Sequence, residues 1–435
     1  MTPLEIGIAS LALMVVLIIA GLHVAISLLL LSFVGVWLIR DNVDVALALM
    51  AQATNDSIAS HEFGVVPLFV LMGLLVATAD LGKDIFEVAH ALLRRVRGGL
   101  GVATVMANAV FAAITGISIA SAAVFTKVAV PEMLRFGFTP RFATGVVAGS
   151  SVLGMLIPPS LLMILYAFLS EQSVGAMFLA GIMPGLLLAI AFSLAIVVMA
   201  WVFPGYVGGD MTAGSAPVLT VGAALGKVAP VILLIFVVLG GIYGGIVTAT
   251  DAGALGALGA LLLAMAKRRL TPATFWKVLI ETGRITVSVL FLIIAANLYS
   301  RMLTLSGLPQ TIVEWMAGLG FGTAGFLTVF IAIVLFLGCI IDSASIMLIV
   351  LPLMLPVAQA LGIDLVWFGV ITVIAVEIGL LTPPFGISVY VVKSTLNDAR
   401  ITLWDIFAGT QPFTLIMFLV LMLIIAFPRI ALFFQ

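Results

Sequence analysis

Two carboxylates stand inside apolar stretches in the second half of the chain, Asp342 and Glu377. A charged group in such surroundings is expensive, and by default it marks an ion or substrate path. Asp342 opens the run Asp342-Ser343-Ala344-Ser345, and Glu377 shortly precedes the break Gly379-Leu380-Leu381-Thr382-Pro383-Pro384. The first half has matching features without the acids. Thr115-Gly116-Ile117-Ser118 interrupts an apolar stretch, and Pro158-Pro159-Ser160 follows Gly149 and Gly154. Hydroxyls and freed main-chain carbonyls are hard oxygen ligands of the kind Na⁺ takes, while freed helix N-termini can face an anion. The competing account is that small residues only let helices approach closely, and that Glu377 pairs across helices for structure. Four such clusters at related places favour the chemical account. Arg301 lies near a span end, where its head can snorkel to the interface, and Asp251 is expected to cap a helix.

Other chemistry finds little support. His23, His61 and His90 lie far apart without metal-ligand spacing, and no nucleophile stands beside a base. The single cysteine, Cys339, excludes an intramolecular disulfide and reads as a small apolar packing residue. A net charge of −1 gives no reason to expect nucleic acid. No cofactor is expected.

The elements that must position these residues are membrane helices. Of the residues 64% are apolar and 9% charged, with mean hydropathy +1.37, whereas a soluble chain carries about 25% charged residues. Spans are expected at about 6–20, 24–39, 63–79, 142–169, 176–203, 228–243, 252–266, 285–303, 367–392 and 413–427. Segments 99–130 and 321–357 are too long for one span and carry small polar residues in the middle. Segments 80–97 and 267–283 mix charge with apolar periodicity and read as amphipathic surface helices.

A shift of 225 residues superposes the landmarks. Ser118, Pro131, Pro158 and Pro159 fall on Ser343, Pro356, Pro383 and Pro384, and Gly82, Gly137 and Gly154 on Gly307, Gly362 and Gly379. Basic residues break the symmetry. Lys83, Arg94, Arg95 and Arg97, and again Lys127, Arg135 and Arg141, have no cationic counterparts near 305–323 and 352–366. Conversely, 266–284 holds Lys267, Arg268, Arg269, Lys277 and Arg284, while 41–59 holds only acids. Because cytoplasmic loops are enriched in Lys and Arg, equivalent loops should face opposite sides. The fold expected is therefore an all-α polytopic membrane protein of two inverted-topology repeats, each with about five spans and one re-entrant hairpin. The repeats are 1–203 and 228–435, joined by a linker at 204–227, with hairpins at about 99–130 and 321–357. The N-terminus is then outside and the linker inside.

At these residues the chain resembles a known family. The run Ile157-Pro158-Pro159-Ser160-Leu161-Leu162-Met163-Ile164-Leu165-Tyr166, with Ser173-Val174-Gly175 and Ala180-Gly181-Ile182-Met183-Pro184-Gly185, is similar to the large membrane subunit of TRAP (tripartite ATP-independent periplasmic) transporters, the DctM type. So are Gly241-Ile242-Tyr243-Gly244-Gly245, the Gly338, Asp342, Pro352 and Pro356 segment, Gly362-Ile363-Asp364, and Ile378-Gly379-Leu380-Leu381-Thr382-Pro383-Pro384. The chain departs at Thr248-Ala249-Thr250-Asp251, where the family usually shows Thr-Pro-Thr-Glu, and at the Thr115–Ser118 tip.

The resemblance implies a bacterial inner-membrane symporter moving an organic acid anion with Na⁺ by an elevator motion. A periplasmic substrate-binding protein would deliver the anion, and a separate small four-helix membrane subunit would brace the large one. One Na⁺ is expected by Thr115, Gly116 and Ser118 with Gly149 and Gly154, and another by Asp342, Ser343 and Ser345 with Thr382. The anion should lie between the tips, near Ser118, Pro158, Pro159, Ser160, Ser345, Pro383 and Pro384, with Glu377 as a coupling carboxylate. Two alternatives remain. One is a stand-alone two-hairpin dicarboxylate symporter, which would purify without a four-helix subunit. The other is an intramembrane enzyme using Asp342 and Glu377, which would need the two acids to meet.

Overall fold

The computed structural model describes residues 1–59, 61–209, 219–318 and 322–435. The centre of the linker and the first residue of the second hairpin segment, Phe321, lie outside them. Among the described residues every extended element is a helix. The first half runs α1 (Pro3–Ile19), α2 (Val24–Arg40), α3 (Val43–Ala59), α4 (Val65–Thr78), α5 (Leu81–Leu93), α6 (Gly99–Thr115), α7 (Ser118–Arg135), α8 (Pro140–Ser151), α9 (Leu153–Leu156), α10 (Leu161–Ser170), α11 (Val174–Val202) and α12 (Pro204–Val207). The second runs α13 (Val221–Ile235), α14 (Gly241–Tyr243), α15 (Ala249–Ala266), α16 (Pro272–Ser306), α17 (Leu308–Gly318), α18 (Thr323–Gly338), α19 (Ser343–Ala360), α20 (Leu365–Gly379), α21 (Ile387–Leu396) and α22 (Leu403–Ala426).

Among the described residues six helices are long and apolar enough to cross a membrane, up to eight if the bent pairs α4–α5 (61°) and α8–α10 (41°) each count as one span. Shorter apolar helices include α6, α18 and α20. Their outward faces suit lipid. Along α11, Leu186, Ile190, Leu194 and Val198 are exposed at four-residue spacing, one stripe of a helix.

Three segments differ from the sequence reading. Region 41–59 is a helix, α3, rather than a plain connection. Segment 267–283 is not a separate surface helix, because Pro272 opens α16 at its N-terminus and the 35-residue helix then continues to Ser306. Its charged residues leave the main-chain hydrogen bonding intact, and a lone Gly283 does not break them. The linker start also has a fixed seat. Thr139 N–H donates to the Val207 carbonyl (3.0 Å) and Gly209 N–H to that of Gly137 (2.9 Å).

Helices follow in the same order in both halves: a hairpin (α6–α7, α18–α19), a helix, a Pro-Pro break, a short helix and a long one. The halves interlock. α4 packs on α15, α2 on α16, α8 on α22, α11 on α20, α7 on α21 and α10 on α19. Small residues permit this closeness. A Cβ on Gly145 of α8 would lie 2.1 Å from the Gly409 carbonyl oxygen of α22.

Candidate functional site

The first tip is the two-residue gap between α6 and α7. α6 stops because Gly116 turns left-handed, at φ +64°, a conformation open to glycine at little strain. Its carbonyl accepts from Leu161 N–H (3.1 Å), and a Cβ on Gly116 would sit 2.5 Å from the Pro159 oxygen. Gly154 closes the other side, where a Cβ would lie 3.0 Å from Ile117 and Ser118 backbone atoms. Thr115, Gly116, Ile117, Pro159 and Ser160 thus line one small cavity of about 10 Å³ with Phe69 and Val70 of α4. That volume is on the scale of a single water or ion.

The hydroxyls there divide by role. Thr115 Oγ1 donates to the Phe111 carbonyl (3.0 Å) and keeps its lone pairs. Ser160 caps α10, accepting from Met163 N–H (3.3 Å) while donating to the Met155 carbonyl (2.5 Å). Ser118 Oγ is buried with no hydrogen-bond partner. Gly149 lies apart from the tip, against Phe413 of α22, where a Cβ would approach to 2.6 Å.

The second tip repeats the scheme with an acid added. Phe385 N–H, just past the second break, donates to the Cys339 carbonyl (3.2 Å), as Leu161 does to Gly116. Asp342 caps α19, accepting from the N–H groups of Ala344 and Ser345 (both 3.1 Å) and from the Ser345 hydroxyl (2.5 Å). Ser343 and Ser345 are buried. Thr382 Oγ1 donates to the Ile378 carbonyl (2.8 Å), which leaves its lone pairs free. Pro158-Pro159 and Pro383-Pro384 are both joined by cis bonds. Cys339 is half-buried at the end of α18, and its thiol donates to the Leu335 carbonyl (3.2 Å).

Glu377 ends up where spacing alone did not place it. It is 1% exposed in the last turn of α20, and its neighbour is Ser118 of the first tip. Neither group completes a hydrogen bond with the other. Two residues on, a Cβ at Gly379 would lie 2.6 Å from Gly338 Cα, so α18 and α20 touch backbone to backbone. Asp251 forms a capping box with Thr248, the structural role expected of it.

Sequence reasoning missed a second polar place. Arg301 pairs with Asp56 (3.0 Å) instead of standing alone. Both line a cavity of about 570 Å³ with Ser57, Asn297, Ser300, Glu171 and Gln172. This cavity joins α3 and α16 to the turn between α10 and α11. Arg301 and Asp56 lie 245 residues apart, and nothing local announces the pair. A salient clue was available in the acid-only composition of 41–59, which would suit a basic residue elsewhere.

Residues 11–430 match the family model described as "Tripartite ATP-independent periplasmic transporter, DctM component". The chain is 33% identical over 371 residues to a Pseudomonas aeruginosa C4-dicarboxylate TRAP transporter large permease protein, covering 84% of each. It is 32% identical to a Vibrio cholerae sialic acid TRAP large permease (96% of this chain, 95% of that one). It is 30% identical to a Halomonas elongata ectoine TRAP large permease (98% and 97%). Two solved transporter structures share the fold alone. Neisseria gonorrhoeae MtrF has TM-score 0.61, 14% identity and coverage of 97% and 94%. Alcanivorax borkumensis YdaH has TM-score 0.60, 15% identity and coverage of 90% of both chains. A multi-pass helical chain matched over residues 11–430 by this family model, and over most of its length by these permeases, is not an enzyme; it belongs to the DctM family, the large membrane permeases of TRAP transporters.

Proposed function

We propose that this chain carries a small organic acid anion across a bacterial inner membrane in symport with Na⁺. It would receive the anion from a periplasmic binding protein and work beside a small four-helix membrane subunit. The observation that carries the reading is the paired construction of the site. Each of two helical tips is hydrogen-bonded through its turn to a helix broken at Pro-Pro. Interrupted helices at membrane depth supply carbonyls for cations and N-termini for anions. By their names, the relatives above take C4-dicarboxylates, sialic acid and ectoine, which share a carboxylate. Organic acid is therefore the supported class, without a choice of one acid.

The charge pattern supports inverted halves with the N-terminus outside and the linker inside. The packing is compatible with an elevator, and we favour that motion. The tips are bonded to their own breaks, so hairpins and broken helices form units that can shift together against α2, α4, α15 and α16. If two Na⁺ accompany a monoanion, one net charge crosses, worth about 2.3 kcal/mol per 100 mV.

The test is uptake into proteoliposomes holding this chain and its small subunit, with binding protein and a panel of organic acids outside. Uptake should need both an inward Na⁺ gradient and the binding protein. Full dicarboxylate uptake without the binding protein or small subunit would favour the stand-alone symporter, and uptake indifferent to Na⁺ would sink the symport.

A further inference from the structure

Among the described residues, a few buried side-chain oxygens have no hydrogen-bond partner, and four of the residues that own them belong to adjoining segments. Ser118 and Ser121 lie one turn apart at the start of α7, and so on one face of it. Ser388 is in the first turn of α21, the helix packed on α7. Glu377 closes α20 beside Ser118, with both carboxyl oxygens unpaired. Ser118, Ser121 and Ser388 have no measurable exposure, and α18 lies against α20 at the Gly338–Gly379 contact, two residues from Glu377. No lysine or arginine forms an ion pair with Glu377 among the described residues.

A buried carboxylate needs a counter-charge, and a buried hydroxyl with no partner forfeits a hydrogen bond. A proton would neutralise the acid and let it bond to Ser118, but would leave the Ser121 and Ser388 hydroxyls unserved. A divalent ion normally takes several carboxylates and waters, and this place offers one acid. A small alkali cation answers both needs at once, with one carboxylate and three hydroxyl oxygens around it. We propose that Glu377, Ser118, Ser121 and Ser388 form a Na⁺ site that bridges the first hairpin to the second broken helix.

The site rests on the symport reading above and adds a cation to the two at the tip–break junctions; Ser118, which does not line the first tip's cavity, belongs to this site instead. It joins elements from opposite halves, so its occupant fastens α7 to α20 and α21. It also neutralises Glu377 before that residue changes depth. Without Na⁺ the bare carboxylate opposes the crossing, which blocks movement of an unloaded carrier.

The experiment uses the purified complex with its small subunit, in two measurements. The first is the Na⁺-to-anion ratio in proteoliposomes, from the voltage at which net uptake reverses. The second is thermal stabilisation by NaCl at ionic strength held constant with choline chloride, which reports binding even in a variant that does not transport. Glu377→Gln should remove one Na⁺ per cycle and raise the half-stabilising Na⁺ concentration tenfold or more. Ser121→Ala and Ser388→Ala, neither of which lines the tip–break cavity, should raise it severalfold. An unchanged ratio in Glu377→Gln, with all three variants within twofold of wild type, overturns the site. So does a Glu377→Gln protein that loses pH dependence but keeps its Na⁺ count, since the occupant is then a proton. If the wild-type protein itself ignores Na⁺, the symport reading falls first. If it responds and the variants match it, this site alone falls.

Discussion

Gly116 shows how a single residue can decide whether a hairpin closes. Its φ of +64° and its position against the Pro159 oxygen leave no room for a side chain. Gly116→Ala would incur left-handed strain of about 1 kcal/mol before any clash is counted. The protein should still insert and purify, but uptake should fall by more than about tenfold, since a further 1.4 kcal/mol of clash is another tenfold. Uptake near wild type would mean that the tip works without touching the break. At the second tip, capping and ion binding can be separated. Asn caps as well as Asp, so Asp342→Asn keeps α19 in place and removes only the charge. If that charge holds Na⁺, the half-saturating Na⁺ for uptake should rise about tenfold, the loss of a charge-assisted contact of about 1.5 kcal/mol, while the melting temperature barely moves. Both tips were legible because interruptions of apolar runs by Gly, Ser and Asp are local events. The grouping of Ser121 and Ser388 with Glu377 was not. Lone serines in apolar helices read as packing, and only the α7–α21 contact gives them a common address.

At the scale of elements, α5 is the strap between the hairpin and its surroundings. It packs on α6, yet its acids are held by cations of the second half. Lys267 pairs with Asp84, Lys227 with both Glu87 and Asp84, and Arg269 with Asp80 at 3.3 Å. These groups are partly exposed, so each pair contributes no more than about 1 kcal/mol. Their joint effect is to tie one end of α5 to α13 and α15. A cross-link between cysteines at 84 and 267, in a Cys339→Ser background, should therefore leave most of the uptake intact. A cross-link between positions 70 and 164, which line the first tip's cavity from α4 and α10, should abolish it. If both cross-links spare transport, the hairpin unit does not slide on α4. The amphipathic character of 80–97 was readable from its charges, but its ionic tether was not, because the partners lie 140 and 183 residues away.

Taken whole, the molecule is two interlocked halves, and the experiment that orients them is chemical labelling from each side of the membrane. Single cysteines at positions 95, 135 and 268 should react only from the cytoplasm, and those at 44 and 364 only from outside. Labels at 95 and 135 on opposite faces would turn α6–α7 from a hairpin into a crossing and undo the inverted arrangement. Acid should not disturb one cytoplasmic anchor in this scheme. Thr402 and Arg141 hold the Asp405 carboxyl at about 2. Its small contribution to joining α8 and α22 is thus fully present above the ordinary carboxylate range, fades only as pH falls through that range toward 2, and should be intact at pH 5. The periodicity and punctuation of the sequence revealed most of the apolar helices, though not α3 or the continuity of α16. Which helix of one half leans on which of the other was decided by long-range packing that no local pattern encodes.

The unbroken length of α16 sets a condition on the lipid. Thirty-five residues make a rod of about 52 Å, against a hydrocarbon layer of about 30 Å. Even a tilt of about 40° leaves about 10 Å of it projecting. The early turns carry Trp276, Lys277, Glu281 and Arg284, groups that belong among headgroups and resist being drawn inward. The rod is thus moored at a fixed height, and any vertical travel beside it must be absorbed by the bilayer pressing against the moving helices. Turnover should consequently respond to acyl-chain length, rising to a maximum in membranes of intermediate thickness and falling in thinner and thicker ones. Anion binding at equilibrium should be the same in all of them.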